Sequence, residues 1–390
     1  MFDLTQPDMI LQNEDVRTAL EGILRFWKEK GIKGFRFDVV NLISKDKFEN
    51  DYEGDGRRFY TDGPNIHKYL RELNEATFGT DAEIITVGEM SSTTMENCYQ
   101  YANEDGKELS MVFSFHHLKV DFMGNEKWVI VPFDFQKLKK ILFDWQVNMG
   151  KHHAWNAVFW CNHDQPRVVS RFGNVEKYWK ESAKMLGTVI HCLRGTPYIY
   201  QGEELGMTNA GFTDISQYKD VESLNHFRIL QEKGLTEENA YQILQIHSRD
   251  NSRTPMQWNS GENGGFTTGE PWIEVNKNCS YINAEAELQD EDSIFHYYQK
   301  LIALRKEYDV IAYGELKPLD EKNPSVFAYE REYQGEKMLV ICNFYGKEVT
   351  WDSETELGEY QCVLSNYEVH NIEGSRIGLK PYEAVVLYKK

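Results

Sequence analysis

The sequence predicts an α/β fold: a parallel sheet of alternating strands and helices, followed by a smaller antiparallel β-sandwich. Three observations carry that expectation. Short apolar strands alternate with helical repeats through residues 1–308. Polar and charged residues collect at the C-terminal ends of those strands, where parallel sheets and barrels place their sites. Over residues 309–390 the texture changes to short β-branched or aromatic runs separated by Gly, Asn, Asp and Glu. A chain of 390 residues has room for both domains.

Taken in order, Val16, Leu20, Ile23, Leu24 and Trp27 recur near helical spacing, which predicts a helix over 13–30 stopped by Gly31. Gly34-Phe35-Arg36-Phe37-Asp38-Val39-Val40 reads as a strand ending in a carboxylate. A helix near 64–76 leads to Glu83-Ile84-Ile85-Thr86-Val87-Gly88-Glu89, again a strand ending on an acid. A third strand over 109–116 runs into a basic and aromatic loop. A helix over 133–148 leads to Ala157-Val158-Phe159-Trp160-Cys161-Asn162-His163-Asp164, acid-tipped like the first two. A helix over 176–193 leads to a fifth strand over 196–204. Residues 212–280 show no clear periodicity, and an irregular segment that long reads as a functional lid. A helix over 293–306 closes the first domain, and runs at 325–331, 337–344, 359–364 and 382–388 supply the sandwich.

Hydrophobic residues make up 41% and aromatics 13%, which supports a large core and excludes disorder. The 43 basic and 62 acidic side chains leave a net charge of −19, which opposes nucleic acid and anionic membranes as partners. An anionic small-molecule substrate would need a locally basic pocket. Cys98, Cys161, Cys192, Cys279, Cys342 and Cys362 are scattered, without the C-x-x-C or H-E-x-x-H spacing of a zinc site. Sparse cysteines fit a reducing compartment. The first residues show no leader pattern, and no apolar run approaches the roughly 18 residues of a membrane span. The expected location is the cytoplasm.

Asp38, Glu89 and Asp164, each at a strand end, can converge on one mouth. Retaining glycosidases need such acids, a nucleophile and a proton donor about 5 Å apart. Arg36 precedes Asp38 by two residues, so on a strand it shares a face with it and favours the ionised form a nucleophile requires. A less solvated Glu89 near other acids would hold the proton a leaving group needs. His163 offers a donor to a sugar hydroxyl. Taken singly, each acid could equally cap the next helix.

The words around these acids decide between the readings. Gly34-Phe35-Arg36-Phe37-Asp38-Val39-Val40-Asn41, Val87-Gly88-Glu89-Met90 and Phe159-Trp160-Cys161-Asn162-His163-Asp164-Gln165 resemble, in order, three signature regions of the α-amylase family of glycoside hydrolases. Gln6-Pro7-Asp8, Tyr200-Gln201-Gly202-Glu203-Glu204-Leu205-Gly206-Met207 and Arg249-Asp250-Asn251-Ser252-Arg253-Thr254-Pro255-Met256-Gln257-Trp258 extend the match over essentially the whole chain. The resemblance implies a (β/α)8 TIM barrel with Asp38 as nucleophile, Glu89 as acid/base and Asp164 as transition-state stabiliser. Arg36, His163 and Arg253 are implied as substrate-binding residues. No cofactor is implied, and the family's calcium or magnesium site, where present, lies outside these words.

Within the family, Gly54-Asp55-Gly56-Arg57-Arg58-Phe59-Tyr60-Thr61-Asp62-Gly63-Pro64 and Phe115-His116-His117-Leu118-Lys119-Val120-Asp121 resemble the branch that hydrolyses α,α-trehalose 6-phosphate. Relatives acting on neutral sugars carry Glu-His-Met-Asp where this chain has His116-His117-Leu118-Lys119, a reversal of charge near a further Lys127. A phosphorylated sugar carries about two negative charges near pH 7. His116, Lys119 and Lys127 are therefore the expected phosphate-binding cluster, and a phosphorylated disaccharide the expected partner. The alternatives are an oligo-1,6-glucosidase acting on neutral oligosaccharides and a non-catalytic, sugar-binding remnant.

The matched words account for strands four to eight of the family's barrel. The expectation is thus a partial catalytic barrel over 1–308 and a β-sandwich over 309–390. Such a chain should be poorly cooperative and inactive unless joined by the missing N-terminal barrel segment.

Overall fold

The computed structural model describes residues 8–45, 49, 51–54, 56–368 and 371–390. Gln6, Pro7 and Asp55 of the quoted words lie outside the described residues. The chain forms two compact units, one of Met1–His117 with Asp144–Val158, the other of Leu118–Phe143 with Phe159–Lys390.

In the first unit β1 (Gly34–Phe37), β2 (Ile85–Glu89), β3 (Met111–Phe113) and β4 (Asn156–Val158) pair in parallel in chain order. The register sets Phe37 beside Gly88 and Glu89 beside Phe113, so Asp38 and Glu89 leave neighbouring strands at the same C-terminal edge. Helices Ile66–Leu73 and Met95–Tyr101 bury Ile66, Leu70, Cys98 and Tyr101 against Leu109 and Val112. Helix Glu14–Glu29 forms where its spacing predicts. Asn13 caps it by accepting from the Asp15 amide, two acids occupy its first turn, and Gly31 at φ 90° follows its end. None of its residues is buried, and Ile23, Phe26 and Trp27 each remain about half exposed.

Each of β1 to β4 is shorter than the apolar run that predicts it. The chain turns at Asp38 and Val39 instead of continuing to Val40. In the second unit β5 is only Thr196–Pro197, and a short 3-10 turn, Glu203–Leu205, follows. Apolar residues beyond the ladders still bury themselves. Trp160 is 1% exposed and donates its indole N–H to the Leu186 carbonyl at 2.7 Å.

The segment expected to be an irregular lid contains two full helices, which corrects that reading. Val221–Glu232 starts at Asp220, whose carboxylate accepts from the Glu222 amide, and Glu237–His247 starts at Thr236. Phe227, Leu230, Ala240, Ile243 and Leu244 pack with Trp128, Phe212 and Tyr218 into a core of their own. The segment holds its shape by burial like any small bundle.

The C-terminal region is the expected sandwich. Its strands are β6 (Glu315–Leu319), β7 (Val326–Tyr333), β8 (Glu336–Asn343), β9 (Val349–Asp352), β10 (Gln361–Ser365), β11 (Asn371–Glu373), β12 (Arg376–Leu379) and β13 (Ala384–Lys389). Two antiparallel sheets, ordered β10-β13-β8-β7-β6 and β11-β12-β9, share a core of Val326, Leu339, Ile341, Trp351, Ile377 and Val385. Buried Arg331 donates to the Cys192 carbonyl at 3.2 Å, and the Tyr329 hydroxyl donates to that of Val189 at 3.2 Å. Both bonds reach the C-terminal end of helix Trp179–His191 and tie the sandwich to it. Among the described residues no helix is long and apolar enough to cross a membrane.

Candidate active site

The first unit brings together three of the residues singled out by sequence. Arg36, on β1, directs its guanidinium at both Asp38 and Glu89 and hydrogen-bonds to each. Asp38 directly follows the last residue of β1 and stays on the side of Arg36, and the parallel register brings Glu89 alongside. The two acids differ sharply in environment. The Asp38 side chain is 72% exposed and the Glu89 side chain 10%. Burial pushes the Glu89 carboxyl up to about 7, a hydrogen bond to Asp38 and the Asp38 charge push the same way, and Arg36 opposes them. One acid is thus solvated and ion-paired, the other protonated well above the usual carboxylate range. That is the division of labour between a nucleophile and a proton donor.

The backbone at this edge is strained. Val39 has φ 34° and ψ 44°, a left-handed conformation that a β-branched residue avoids at a cost of about 1–3 kcal/mol. Gly88 packs closely, since a Cβ there would lie 2.6 Å from the side-chain ends of Leu109 and Met90, which would have to shift.

The second unit assembles Asp164, His163 and Arg253. Arg253 reaches Asp164 at 2.6 Å and donates to the His163 carbonyl at 2.8 Å. The His163 imidazole lies 3.6 Å from Asp164. Three further residues, not singled out by sequence, complete this set. Arg249 lies 3.4 Å from Asp164, and buried Asp220 pairs with Arg249 at 2.8 Å and Arg253 at 2.5 Å. Burial raises the Asp220 carboxyl, but hydrogen bonds from Arg249 and the Glu222 amide and the charges of both arginines hold it below the usual range. Glu222 then links Arg249, at 3.2 Å, to Lys127, at 3.0 Å. The spacing of Arg249 and Arg253, four residues apart, is the signal that puts both on one face of a helical turn.

The expected phosphate cluster is not gathered within either unit. His116 belongs to the first, lies tilted against Trp145 with ring centroids 4.5 Å apart and meets the Ser114 hydroxyl at 3.0 Å. Lys119 and Lys127 belong to the second. Lys127 is held by Glu222, and burial lowers its pKa from the ordinary lysine value. Among the described residues no group of three or more His, Cys, Asp or Glu is arranged to hold a metal ion.

The raised Glu89 carboxyl has a kinetic consequence. A proton donor acts only while protonated, so kcat/KM should fall as pH rises through about 7, roughly tenfold per pH unit beyond it. A pH profile of kcat/KM checks this, and a basic limb lying near the ordinary carboxylate value would contradict it.

Comparison with known proteins places this arrangement in a family. The family model for the α-amylase catalytic domain matches residues 1–314, and that for the C-terminal domain of the α-amylase SusG matches residues 326–386. The chain is 55% identical to a trehalose-6-phosphate hydrolase of Bacillus subtilis, over 99% of this chain and 69% of that protein. It is 50% identical to a trehalose-6-phosphate hydrolase of Escherichia coli, over 99% and 70% respectively. An oligo-1,6-glucosidase of Bacillus cereus is 47% identical, over 100% and 71%. The crystal structure of the trehalose-6-phosphate hydrolase of Bacillus licheniformis superposes with a TM-score of 0.95 at 53% identity, covering 99% of this chain and 70% of that one. With a solvated, arginine-paired Asp38 beside a buried Glu89 whose carboxyl is pushed up to about 7, at the C-terminal ends of parallel strands, the chain belongs to the α-amylase family of glycoside hydrolases.

Proposed function

We propose that the protein hydrolyses α,α-trehalose 6-phosphate to glucose and glucose 6-phosphate in the cytoplasm, with retention of configuration. The observation that carries the chemistry is the Arg36 guanidinium bonded to both Asp38 and Glu89, with Glu89 kept protonated by burial. The Asp38 carboxylate attacks the anomeric carbon while Glu89 gives its proton to the glycosidic oxygen, and glucose 6-phosphate departs. Glu89, now ionised, takes a proton from water as that water attacks the glucosyl–Asp38 ester, and glucose leaves. The family resemblance implies that Asp164 supplies negative charge for the oxocarbenium-like state, and Arg253 and Arg249 fix its carboxylate within its own unit.

The phosphorylated substrate is supported by the resemblance to trehalose-6-phosphate hydrolases at 50–55% identity. It is also supported by His116, Lys119 and Lys127 in a chain of net charge −19. Relative kcat/KM on trehalose 6-phosphate and on isomaltose tests the reading. We expect a preference of at least about tenfold for the phosphorylated sugar, the scale of one charge-assisted hydrogen bond. Equal rates would make the protein an oligo-1,6-glucosidase.

A further inference from the structure

Asn41 is fully buried, three residues after Asp38, and every hydrogen-bonding group of its side chain is engaged. Its amide donates to the Ser91 carbonyl at 2.8 Å and to Asp62 at 3.1 Å, and its carbonyl oxygen accepts from the Ser91 amide at 2.9 Å. Ser91 stands two residues after Glu89. One side chain therefore clasps, through a paired amide contact, the backbone that leaves the strand of the other carboxylate.

Asp62 is fixed in turn. It accepts from the Tyr101 hydroxyl at 2.6 Å and from Asn97 at 2.8 Å, both on helix Met95–Tyr101, and its backbone amide donates to the Asn41 carbonyl at 3.0 Å. Asp62 itself sits at φ 50°, a conformation ordinary side chains rarely adopt. Between Asp38 and Asn41 the chain passes through Val39 at φ 34°. A strained residue persists only where its surroundings over-determine it, and on the far side of Val39 the Asn41 clasp does so together with the Leu42 amide, which donates to the Val39 carbonyl at 3.0 Å.

We propose that Asn41 and Asp62 are positioning residues for catalysis: Asn41 sets the separation of Asp38 and Glu89 by locking the turn after one strand to the backbone after the other, and Asp62 sets Asn41. The inference rests on the reading of Asp38 and Glu89 as the reacting pair and is independent of which glycoside they cleave. A retaining enzyme tolerates little change in that separation, because the same pair must serve attack and proton transfer. Asparagine is required at position 41. An aspartate there has the same shape but no donors, and would face the Asp62 carboxylate and the Ser91 carbonyl.

The test is the titration of Glu89 in the intact chain without substrate, followed by carbon-13 NMR of glutamate-labelled protein and assigned with Glu89→Gln. The charged groups that bear on Glu89 are Arg36 and Asp38, and their distances from it are what the clasp would set. In Asn41→Ala, Asn41→Asp and Asp62→Asn the midpoint should move by about half a pH unit or more from the wild-type value. Leu70→Ala, which opens a cavity in the same core and removes none of the clasp's hydrogen bonds, should leave the midpoint in place while lowering thermal stability. With an aryl glucoside, the Asn41 and Asp62 variants should lose kcat with KM nearly unchanged, and the basic limb of the pH profile should move with the NMR midpoint. If Asn41→Ala does not fold, Asp62→Asn decides. An unmoved Glu89 midpoint in folded Asn41 or Asp62 variants overturns the proposal, as does an equal shift in Leu70→Ala. Either result leaves the choice between phosphorylated and neutral substrates untouched.

Discussion

Asp38→Asn should lower kcat on the order of 10⁴-fold or more, the scale on which loss of a covalent nucleophile is felt. The variant keeps shape and most hydrogen bonding but cannot form the glycosyl ester. It also removes the negative charge that Arg36 pairs with and that helps hold the Glu89 proton, so the Glu89 carboxyl should fall from about 7. Glu89→Gln should behave differently. It should cost about 10²–10⁴-fold on substrates with poor leaving groups and much less on an activated aryl glucoside, because a good leaving group needs no proton. A 2-deoxy-2-fluoroglucosyl inhibitor gives a direct reading, since its ester with the nucleophile is hydrolysed slowly. Mass spectrometry should find the label on Asp38. A label on Glu89 or Asp164 would reverse the roles assigned to them.

These acids were legible in the sequence for a simple reason. Arg36 lies on β1 and Asp38 directly follows its last residue, so the near-strand spacing of two keeps them on one side, where the Arg36 guanidinium reaches the carboxylate. Glu89 follows because a parallel neighbour aligns strand ends. Strand length was less legible, since apolar residues such as Trp160 continue past the ladder and are buried by the core instead of by a sheet. The helices Val221–Glu232 and Glu237–His247 were missed although their caps, Asp220 and Thr236, and the spacing of Leu224, Phe227 and Leu230 were present. Dense Asn, Gly and charge around them obscured that period. β6, β9, β11 and β12 escaped notice because each offers at most two buried apolar residues, such as Trp351 or Ile377, in a polar run. The pairing of Asp220 with Arg249 and Arg253 is of another kind. It joins positions far apart in the chain, and no local pattern announces which arginine a buried carboxylate will hold.

The Lys119→Ala, Lys127→Ala double variant should lose trehalose 6-phosphate selectively. Each charge-assisted hydrogen bond to phosphate contributes roughly 1.5–3 kcal/mol, so the loss of one effective lysine should cost about tenfold to a hundredfold in kcat/KM. If Lys127 receives the phosphate as proposed, it does not wait for it uncompensated. Its ammonium is paired with Glu222 at 3.0 Å, and the same carboxylate oxygen lies 3.2 Å from Arg249. A phosphate arriving there competes with a resident carboxylate and gains only the difference between the two pairings. A dianion should win that exchange where a neutral hydroxyl could not, so on the proposed reading the ion pair would act as a filter for charge. Burial, which lowers the Lys127 pKa, makes the site costly to leave without any anion at all. Truncating Lys127 also leaves Glu222 with Arg249 alone, so some loss of stability should accompany the kinetic effect. A thermal melt alongside the kinetics separates the two. Hydrolysis of an unphosphorylated aryl glucoside should hardly change, because it never uses these ammonium groups. If both substrates lose kcat/KM in equal proportion, the lysines are structural, and the neutral-glucosidase reading takes over.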